Sequence, residues 1–183
     1  MRRSLVPWSL ACLLLAHRAP LARAEEAPVT KFATLGPIVV HGSEKDALQL
    51  GVGYFDAFDD FSAPGANVEY RFGRKLLFIG PALGLLANTD GGVFGYFGIY
   101  ADLSIANIYV TPQLAMGAYH TGDSRDLGGV FQFRESIDVS YRLANGNRFG
   151  IRVAHISNAD IHEENPGEEE LYVTYSIALG PLF

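Results

Sequence analysis

The sequence predicts an all-β fold, an eight-stranded antiparallel up-and-down transmembrane β-barrel, from three observations. Eight runs of about ten residues lie between residues 47 and 180, and turn-forming residues separate them. Membrane strands need about 9 to 11 residues, and the smallest single-chain bacterial barrels have eight strands. Polar and apolar residues alternate within several runs, which is the period-two pattern of a β-strand.

A signal peptide and a lead-in segment are expected to precede the barrel. Residues 1–24 contain two early arginines, an apolar run and the sequence Ala22-Arg23-Ala24, which is the pattern of a cleaved secretory signal. The apolar run is shorter than the roughly 20 residues of a membrane-spanning helix. Residues 25–46 are predicted to be an irregular lead-in and residues 47–183 to form the barrel. We therefore expect export to the cell outer membrane.

The eight runs define the predicted strands in chain order. They are residues 47–55, 65–73, 77–88, 92–103, 107–119, 130–143, 148–157 and 170–180. The links after the second, fourth and sixth runs are short, whereas those after the first, fifth and seventh are longer. Short turns of such barrels face the periplasm and long loops face outside. The link of residues 158–169 is therefore expected at the extracellular end.

The sixth run shows which face of the barrel is polar. Its two faces carry Gln132, Arg134, Ser136, Asp138, Ser140 and Arg142 on one side, and Phe131, Phe133, Ile137, Val139, Tyr141 and Leu143 on the other. Only Glu135 interrupts the apolar side. An eight-stranded interior is just wide enough for side chains, and Arg134 and Asp138 suit it as a lumenal pair. The bulky face is predicted to contact lipid; a soluble barrel with the reverse arrangement is the alternative.

Composition excludes several functional classes. Cys12 is the only cysteine and lies in the predicted signal, so the mature chain has no disulfide, thiol nucleophile or cysteine metal site. Without the four arginines of residues 1–24, the chain keeps 10 basic against 20 acidic residues, which argues against nucleic-acid binding. No cofactor or metal site is predicted, and the acidic loop around His162 is interpreted as solvated. His41 and His120 are interpreted as surface histidines.

Chemically active residues interrupt the lipid-facing row at the end of the seventh run. Ile151 and Val153 share their parity with His155 and Ser157, so the histidine and the serine are predicted to face outward. Residues two positions apart in a strand are about 6.6 Å apart, and an imidazole leaning along the strand can reach a hydroxyl. A histidine base beside a serine nucleophile is the pair that acyl transfer needs.

A carboxylate on the eighth run completes the candidate site. If Val153 faces Leu171 in a hairpin, the same register places His155 opposite Glu169, which can orient the imidazole. Asn158 follows the serine and can donate to an oxyanion, through its side chain or with backbone N–H groups of the next turn. The alternative interpretation is that these are ordinary polar residues at a strand end.

The segment also resembles a known family of enzymes. The stretch His155-Ile156-Ser157-Asn158-Ala159, then Asn165-Pro166-Gly167, then Glu169, is similar to that of the PagL-type lipid A 3-O-deacylases. The resemblance implies an outer-membrane barrel that removes the 3-linked hydroxyacyl chain of lipid A. By position it implies that Ser157 is the nucleophile, His155 the base and then the acid, Glu169 the orienting carboxylate and Asn158 an oxyanion contact.

One residue departs from the family pattern. Asp160 stands where a small residue, often glycine, is expected to shape the oxyanion hole.

The expected partners are lipid A, as lipopolysaccharide, and the outer-membrane bilayer, and a homodimer is an open expectation. A non-catalytic structural barrel of the outer membrane is the alternative function.

Overall fold

The computed structural model describes residues 30–179, which form eleven β-strands. The strands are β1 (Lys31–Leu35), β2 (Ile38–His41), β3 (Ala47–Phe55), β4 (Ala63–Arg71), β5 (Ile79–Asn88), β6 (Val93–Ala101), β7 (Leu103–Ile105), β8 (Ile108–His120), β9 (Phe131–Arg142), β10 (Arg148–Ser157) and β11 (Glu168–Ala178). Among these residues no helix is long and apolar enough to cross a bilayer. The signal peptide predicted for residues 1–24 lies outside the described residues.

Eight of the strands close a barrel. Strands β3, β4, β5, β6, β8, β9, β10 and β11 pair antiparallel in that order, and β11 pairs back with β3. Closure leaves no unpaired edge among these eight strands, which is a condition for a β-structure in lipid. The predicted eight-stranded antiparallel barrel is confirmed, and the predicted runs 47–55 and 148–157 coincide with β3 and β10.

The connections divide the barrel into two ends. We call the end with residues 56–62, 89–92, 121–130 and 158–167 the long-loop end, and the end with residues 72–78, 106–107 and 143–147 the short-turn end. The link of residues 158–167 therefore lies with the long loops, as predicted. Inside the barrel the long-loop end is filled by an apolar cluster that includes Phe55, Leu86, Phe94, Tyr119, Leu127 and Ile156.

Part of the predicted lead-in is regular. Strands β1 and β2 form a hairpin, and β2 pairs with β7, which continues the barrel sheet through β8. His41 ends β2 and is buried, with its Nε2 2.8 Å from Ser104 Oγ and its Nδ1 2.9 Å from Glu44 Oε1. The prediction of a surface His41 was wrong because the sequence pattern did not reveal this hairpin. His120 is exposed, as predicted.

The outer wall is apolar and the lumen is polar. On β9, Ile137 and Val139 each expose 48% of their surface, whereas Arg134 and Asp138 expose none. Alternation with the apolar residues outward is the pattern of a transmembrane barrel. It is the reverse of a soluble barrel, so the structure decides between the two arrangements that the sequence left open.

Buried arginine–carboxylate pairs cross the lumen. Arg134 Nε lies 3.1 Å from Glu170 Oε2, and Arg152 Nη2 lies 3.1 Å from Glu69 Oε1. All four side chains are almost completely buried. Buried charges are tolerated when they are paired and hydrogen-bonded. In these pairs the arginine and the carboxylate satisfy each other, so neither charge needs to be hydrated inside the barrel.

The partner of Arg134 differs from the expected one. Asp138 accepts hydrogen bonds from Gln49 Nε2 at 3.0 Å and from Thr174 Oγ1 at 2.8 Å, whereas Arg134 binds Glu170. Residues four positions apart in one strand are about 13 Å apart. A carboxylate across the narrow lumen is therefore closer to Arg134 than one on its own strand.

The lumenal pairing predicts a specific loss of stability. Arg134→Met should lower the free energy of unfolding by about 3–5 kcal/mol, because it leaves Glu170 buried without a counter-charge. Urea unfolding of the barrel in lipid vesicles, followed by circular dichroism, measures the change. Arg142→Met, at an exposed position of the same strand, is the matched control and should cost less than about 1 kcal/mol. Equal midpoints for the two variants would contradict the account.

Candidate active site on the outer wall

The β10–β11 hairpin brings His155 and Glu169 together. Val153 pairs with Leu171 and His155 with Glu169, so the predicted register is confirmed. His155 Nδ1 lies 3.3 Å from Glu169 Oε1, and the two side chains are 44% and 52% exposed on the outer wall. The carboxylate thus engages one ring nitrogen and leaves Nε2 for another partner.

Ser157 ends the same strand, two residues beyond the histidine. It is half-buried and pairs with Phe133 on β9. Its neighbour Ile156 is completely buried in the lumenal cluster and anchors this end of β10. No hydrogen bond joins Ser157 Oγ to any described residue, including the imidazole. The structure places the serine, the histidine and the glutamate on one patch, and the hydroxyl–imidazole hydrogen bond is not formed.

Gly167 packs against the imidazole. Its φ is +65°, and a Cβ on it would lie 2.8 Å from Cε1 and 3.4 Å from Nε2 of His155. Only glycine combines the left-handed conformation with this close approach. The sequence indicated a turn at this position, but the contact with His155 was not predicted, because it depends on how the loop returns to the barrel.

Asn158 points into the barrel. Its side chain is completely buried, and Nδ2 donates to the backbone oxygens of Leu127, at 2.8 Å, and Glu164, at 2.7 Å. Both N–H groups of the side-chain amide therefore already donate to backbone oxygens. The side chain has no free N–H group for the predicted contact with an oxyanion. The physical reason is parity, since position 158 continues the inward row of Ile156. Asn158 joins the loops of residues 121–130 and 158–167.

The two residues after Asn158 have an unusual backbone. Ala159 and Asp160 have φ values of +52° and +60°, a region that costs non-glycine residues about 1–3 kcal/mol each. Asp160 Oδ1 accepts from Asn165 Nδ2 at 3.1 Å, and Asn165 Oδ1 accepts from the Asn158 N–H at 2.9 Å. Aspartate tolerates this conformation better than most residues. Position 160, where a small residue was expected, therefore has a backbone conformation that glycine would adopt without strain.

The neighbouring loops are tied together by charge. Arg125 Nη1 lies 3.1 Å from Asp56 Oδ2 and also binds Asp59. The hydrogen bond from Arg125 lowers the pKa of the exposed Asp59 carboxyl. This contact connects residues 121–130 to residues 56–62. The loop of residues 121–130, whose Leu127 carbonyl accepts from Asn158, is therefore itself anchored to a neighbouring loop.

An apolar groove of about 670 Å³ starts at the His155–Glu169 pair. Two adjacent rows of outward side chains border it, namely Ile99, Leu114, Glu135, His155 and Glu169 in one row and Pro112, Ile137 and Val153 in the other. The rows cross the strands, so from β10 to Ile79 on β5 the groove covers about 19 Å, at about 4.8 Å for each strand. Because barrel strands tilt by about 35–45°, the groove descends from the long-loop end towards the short-turn end.

A second serine–histidine–glutamate set is inaccessible. At the short-turn end His41 Nε2 is hydrogen-bonded to Ser104 Oγ and His41 Nδ1 lies 2.9 Å from Glu44 Oε1, but Ser104 and His41 are only 5% and 6% exposed. A substrate cannot reach this hydroxyl without displacing the hairpin. Within residues 30–179 no three histidine, cysteine, aspartate or glutamate side chains converge as a metal site would require.

Fold and site together define a class of protein: a transmembrane barrel whose apolar outer wall carries residues of the acyl-transfer type beside a lipid-accessible groove. Residues 41–178 match the family model of the lipid A 3-O-deacylase PagL. The chain therefore belongs to the PagL family, and the resemblance noted in the sequence is confirmed.

Relatives and a solved structure agree with this assignment. The lipid A deacylase PagL of Bordetella bronchiseptica is 42% identical over 50 residues, which are 27% of this chain and 28% of that protein. The PagL of Pseudomonas aeruginosa is 32% identical over 65 residues, 36% of this chain and 37% of that protein. The chain thus matches less than two fifths of the length of either relative. A crystal structure of the outer membrane enzyme PagL shares the fold, with a TM-score of 0.57 and 19% identity over 73% of this chain and 99% of that chain.

The close approach of Gly167 predicts a local effect of substitution. Gly167→Ala should displace the His155 ring, because the new methyl group would overlap Cε1. Imidazole nitrogen NMR signals of the isotope-labelled barrel in detergent micelles measure the displacement. Gly36→Ala is the matched control, since Gly36 has a φ of +60° with nothing within 4 Å of a Cβ. Unchanged His155 signals in a folded Gly167→Ala protein would show that Gly167 does not contact the ring.

Proposed function

We propose that the protein is a lipid A 3-O-deacylase of the cell outer membrane, with Ser157, His155 and Glu169 as its catalytic residues. The observation that carries this proposal is the His155–Glu169 pair on the outer wall, at the head of an apolar groove. In a membrane this surface is surrounded by lipid, so a water-soluble ester would not reach it. A lipid in the surrounding leaflet reaches it by lateral diffusion.

The three residues perform acyl transfer in two steps. His155 Nε2 takes the proton of Ser157 as Oγ attacks the ester carbonyl, and the imidazolium then gives that proton to the departing sugar oxygen. Water, deprotonated by the same nitrogen, attacks the acyl–serine ester; the imidazolium then returns the proton to Ser157 Oγ as the hydroxy fatty acid is released. The Glu169 carboxylate, with Oε1 3.3 Å from Nδ1, orients the ring and stabilises its cationic form.

Backbone groups supply the oxyanion contacts in this proposal. The N–H groups of Ala159 and Asp160 follow the nucleophile closely and donate no hydrogen bond within the described residues. Backbone strain of this kind is concentrated at functional sites, and preorganised N–H donors stabilise a tetrahedral intermediate. Asn158 and Asn165 then act as positioning residues, which explains why aspartate at position 160 is compatible with the site.

The groove receives the acyl chain that is removed. It is apolar, it begins beside His155, and its descent along the wall follows the direction of a lipid chain that enters the bilayer from its surface. The long-loop end is then extracellular, and the site lies at the level of the outer leaflet. The names of the two relatives support lipid A as the substrate. The homodimer stays a prediction.

The proposal predicts the effect of removing the nucleophile. When the chain is expressed in an outer membrane, lipid A should lose the mass of one hydroxyacyl chain, and Ser157→Ala should reduce this conversion by at least about 10³-fold. Mass spectrometry of extracted lipid A measures it. Ser140→Ala, which removes a hydroxyl inside the lumen, is the matched control and should retain the conversion.

Two outcomes would count against the proposal. Unchanged lipid A from a folded parent protein would favour a structural barrel without this activity. Equal conversion by the parent and Ser157→Ala would exclude Ser157 as the nucleophile.

A further inference from the structure

A polar cavity of about 280 Å³ opens at the short-turn end of the barrel. Strand β10 runs from this end, at Arg148, to Ser157 at the other, so the cavity is remote from the candidate active site. Arg142 of β9, Arg148, the turn of residues 144–146 and Ser176 of β11 are among its lining residues. Its volume is several times the roughly 30 Å³ of one water molecule. The cavity therefore has room for a small polar group.

Two arginines of the cavity face each other. Arg142 and Arg148 are directly opposite partners in the register of β9 and β10, and both have the inward parity of their strands. The Tyr109 side chain holds them close together. Its ring centroid lies 3.7 Å from Arg148 Cζ, and its hydroxyl accepts from Arg142 Nη1 at 3.1 Å. Like charges directly opposite on paired strands are destabilising, so an anion beside both arginines would stabilise this arrangement.

The carboxylates of the cavity neutralise only one of these two arginines. Arg148 lies 2.7 Å from Asp102 Oδ1, through Nη1, and 2.9 Å from Glu44 Oε2, through Nη2. Lys75 engages the same two carboxylates, with Nζ 2.8 Å from Asp102 Oδ2. Two cations and two anions therefore balance. Arg142 is left as an additional positive charge, since no carboxylate of residues 30–179 forms an ion pair with it.

The free edge of the Arg142 guanidinium suits a phosphate group. Its Nη1 is used by Tyr109, whereas Nε and Nη2, which form one edge of the plane, donate to no described residue. Two parallel N–H donors of this kind bind two oxygens of one phosphate. The Ser176 hydroxyl lines the same cavity and has no hydrogen-bond partner among the described residues, so it is a further donor.

We propose that the cavity at the short-turn end binds a phosphate group beside Arg142 and Arg148. Arg142 donates two parallel hydrogen bonds to the phosphate, and Arg148 adds positive charge while it keeps its carboxylate partners. In the orientation proposed above the cavity opens to the periplasm. The phosphate then belongs to a soluble phosphate ester or to a phospholipid headgroup of the inner leaflet. The inference is independent of the deacylase activity, which belongs to the other end of the barrel.

Phosphate titration tests the site. The isotope-labelled barrel in maltoside micelles, which contain no phosphate, is titrated with sodium phosphate at neutral pH and constant ionic strength. The Nε–H NMR signals of Arg142 and Arg148 should shift and saturate. Arg142→Met should weaken binding at least about tenfold, because charge-assisted hydrogen bonds are lost. Arg142→Lys, which keeps the charge without the planar fork, should give an intermediate affinity.

Arg74→Met is the matched control for the loss of charge. Arg74 is an exposed arginine at the same end of the barrel and does not line the cavity. This variant should keep the phosphate affinity of the parent protein. Heat-dependent migration on electrophoresis gels confirms that each variant is folded.

Phosphatidylglycerol added to the micelles distinguishes the two sources of the phosphate. If this lipid shifts the same arginine signals and competes with inorganic phosphate, the ligand is a lipid headgroup. If only inorganic phosphate binds, the ligand is a soluble phosphate ester. Equal phosphate affinities of the parent and Arg142→Met would overturn the inference. Equal shifts with chloride at the same ionic strength, or no shift with either phosphate compound, would also overturn it.

Discussion

The paired charges inside the lumen are the interaction on which the rest of the structure depends. Arg134 with Glu170 and Arg152 with Glu69 satisfy charges in a space too narrow for bulk water. Because the polar residues have partners inside, the alternate residues of every strand are free to face outward. The apolar outer wall follows from this arrangement, and with it the placement of the barrel in lipid.

The same alternation explains why the candidate site lies outside the barrel. His155, Ser157 and Glu169 have the outward parity of their strands, so their side chains emerge where a lipid can reach them. Their inward neighbours Ile156 and Glu170 are buried and fix the strand ends from within. The membrane then provides what a pocket provides in a soluble enzyme, since it concentrates the substrate and limits its orientation.

Much of this architecture could be predicted from the sequence, because strand parity and hairpin register are local properties. The pairing of His155 with Glu169 followed from counting residues on either side of one turn. Contacts that depend on how separate segments meet could not be predicted. The lumenal partner of Arg134, the inward role of Asn158 and the burial of His41 all required the closed barrel. Each involves a partner distant in the sequence, namely Glu170, Leu127 and Ser104.

The most direct test of the account is covalent labelling of the folded protein with an alkyl fluorophosphonate, a reagent that traps activated serine nucleophiles. Peptide mass mapping should find a single adduct, on Ser157, and His155→Ala should abolish it because the base is removed. An adduct on another serine, such as Ser104 at the opposite end of the barrel, or no adduct at all, would contradict the placement of the reactive site on the outer wall.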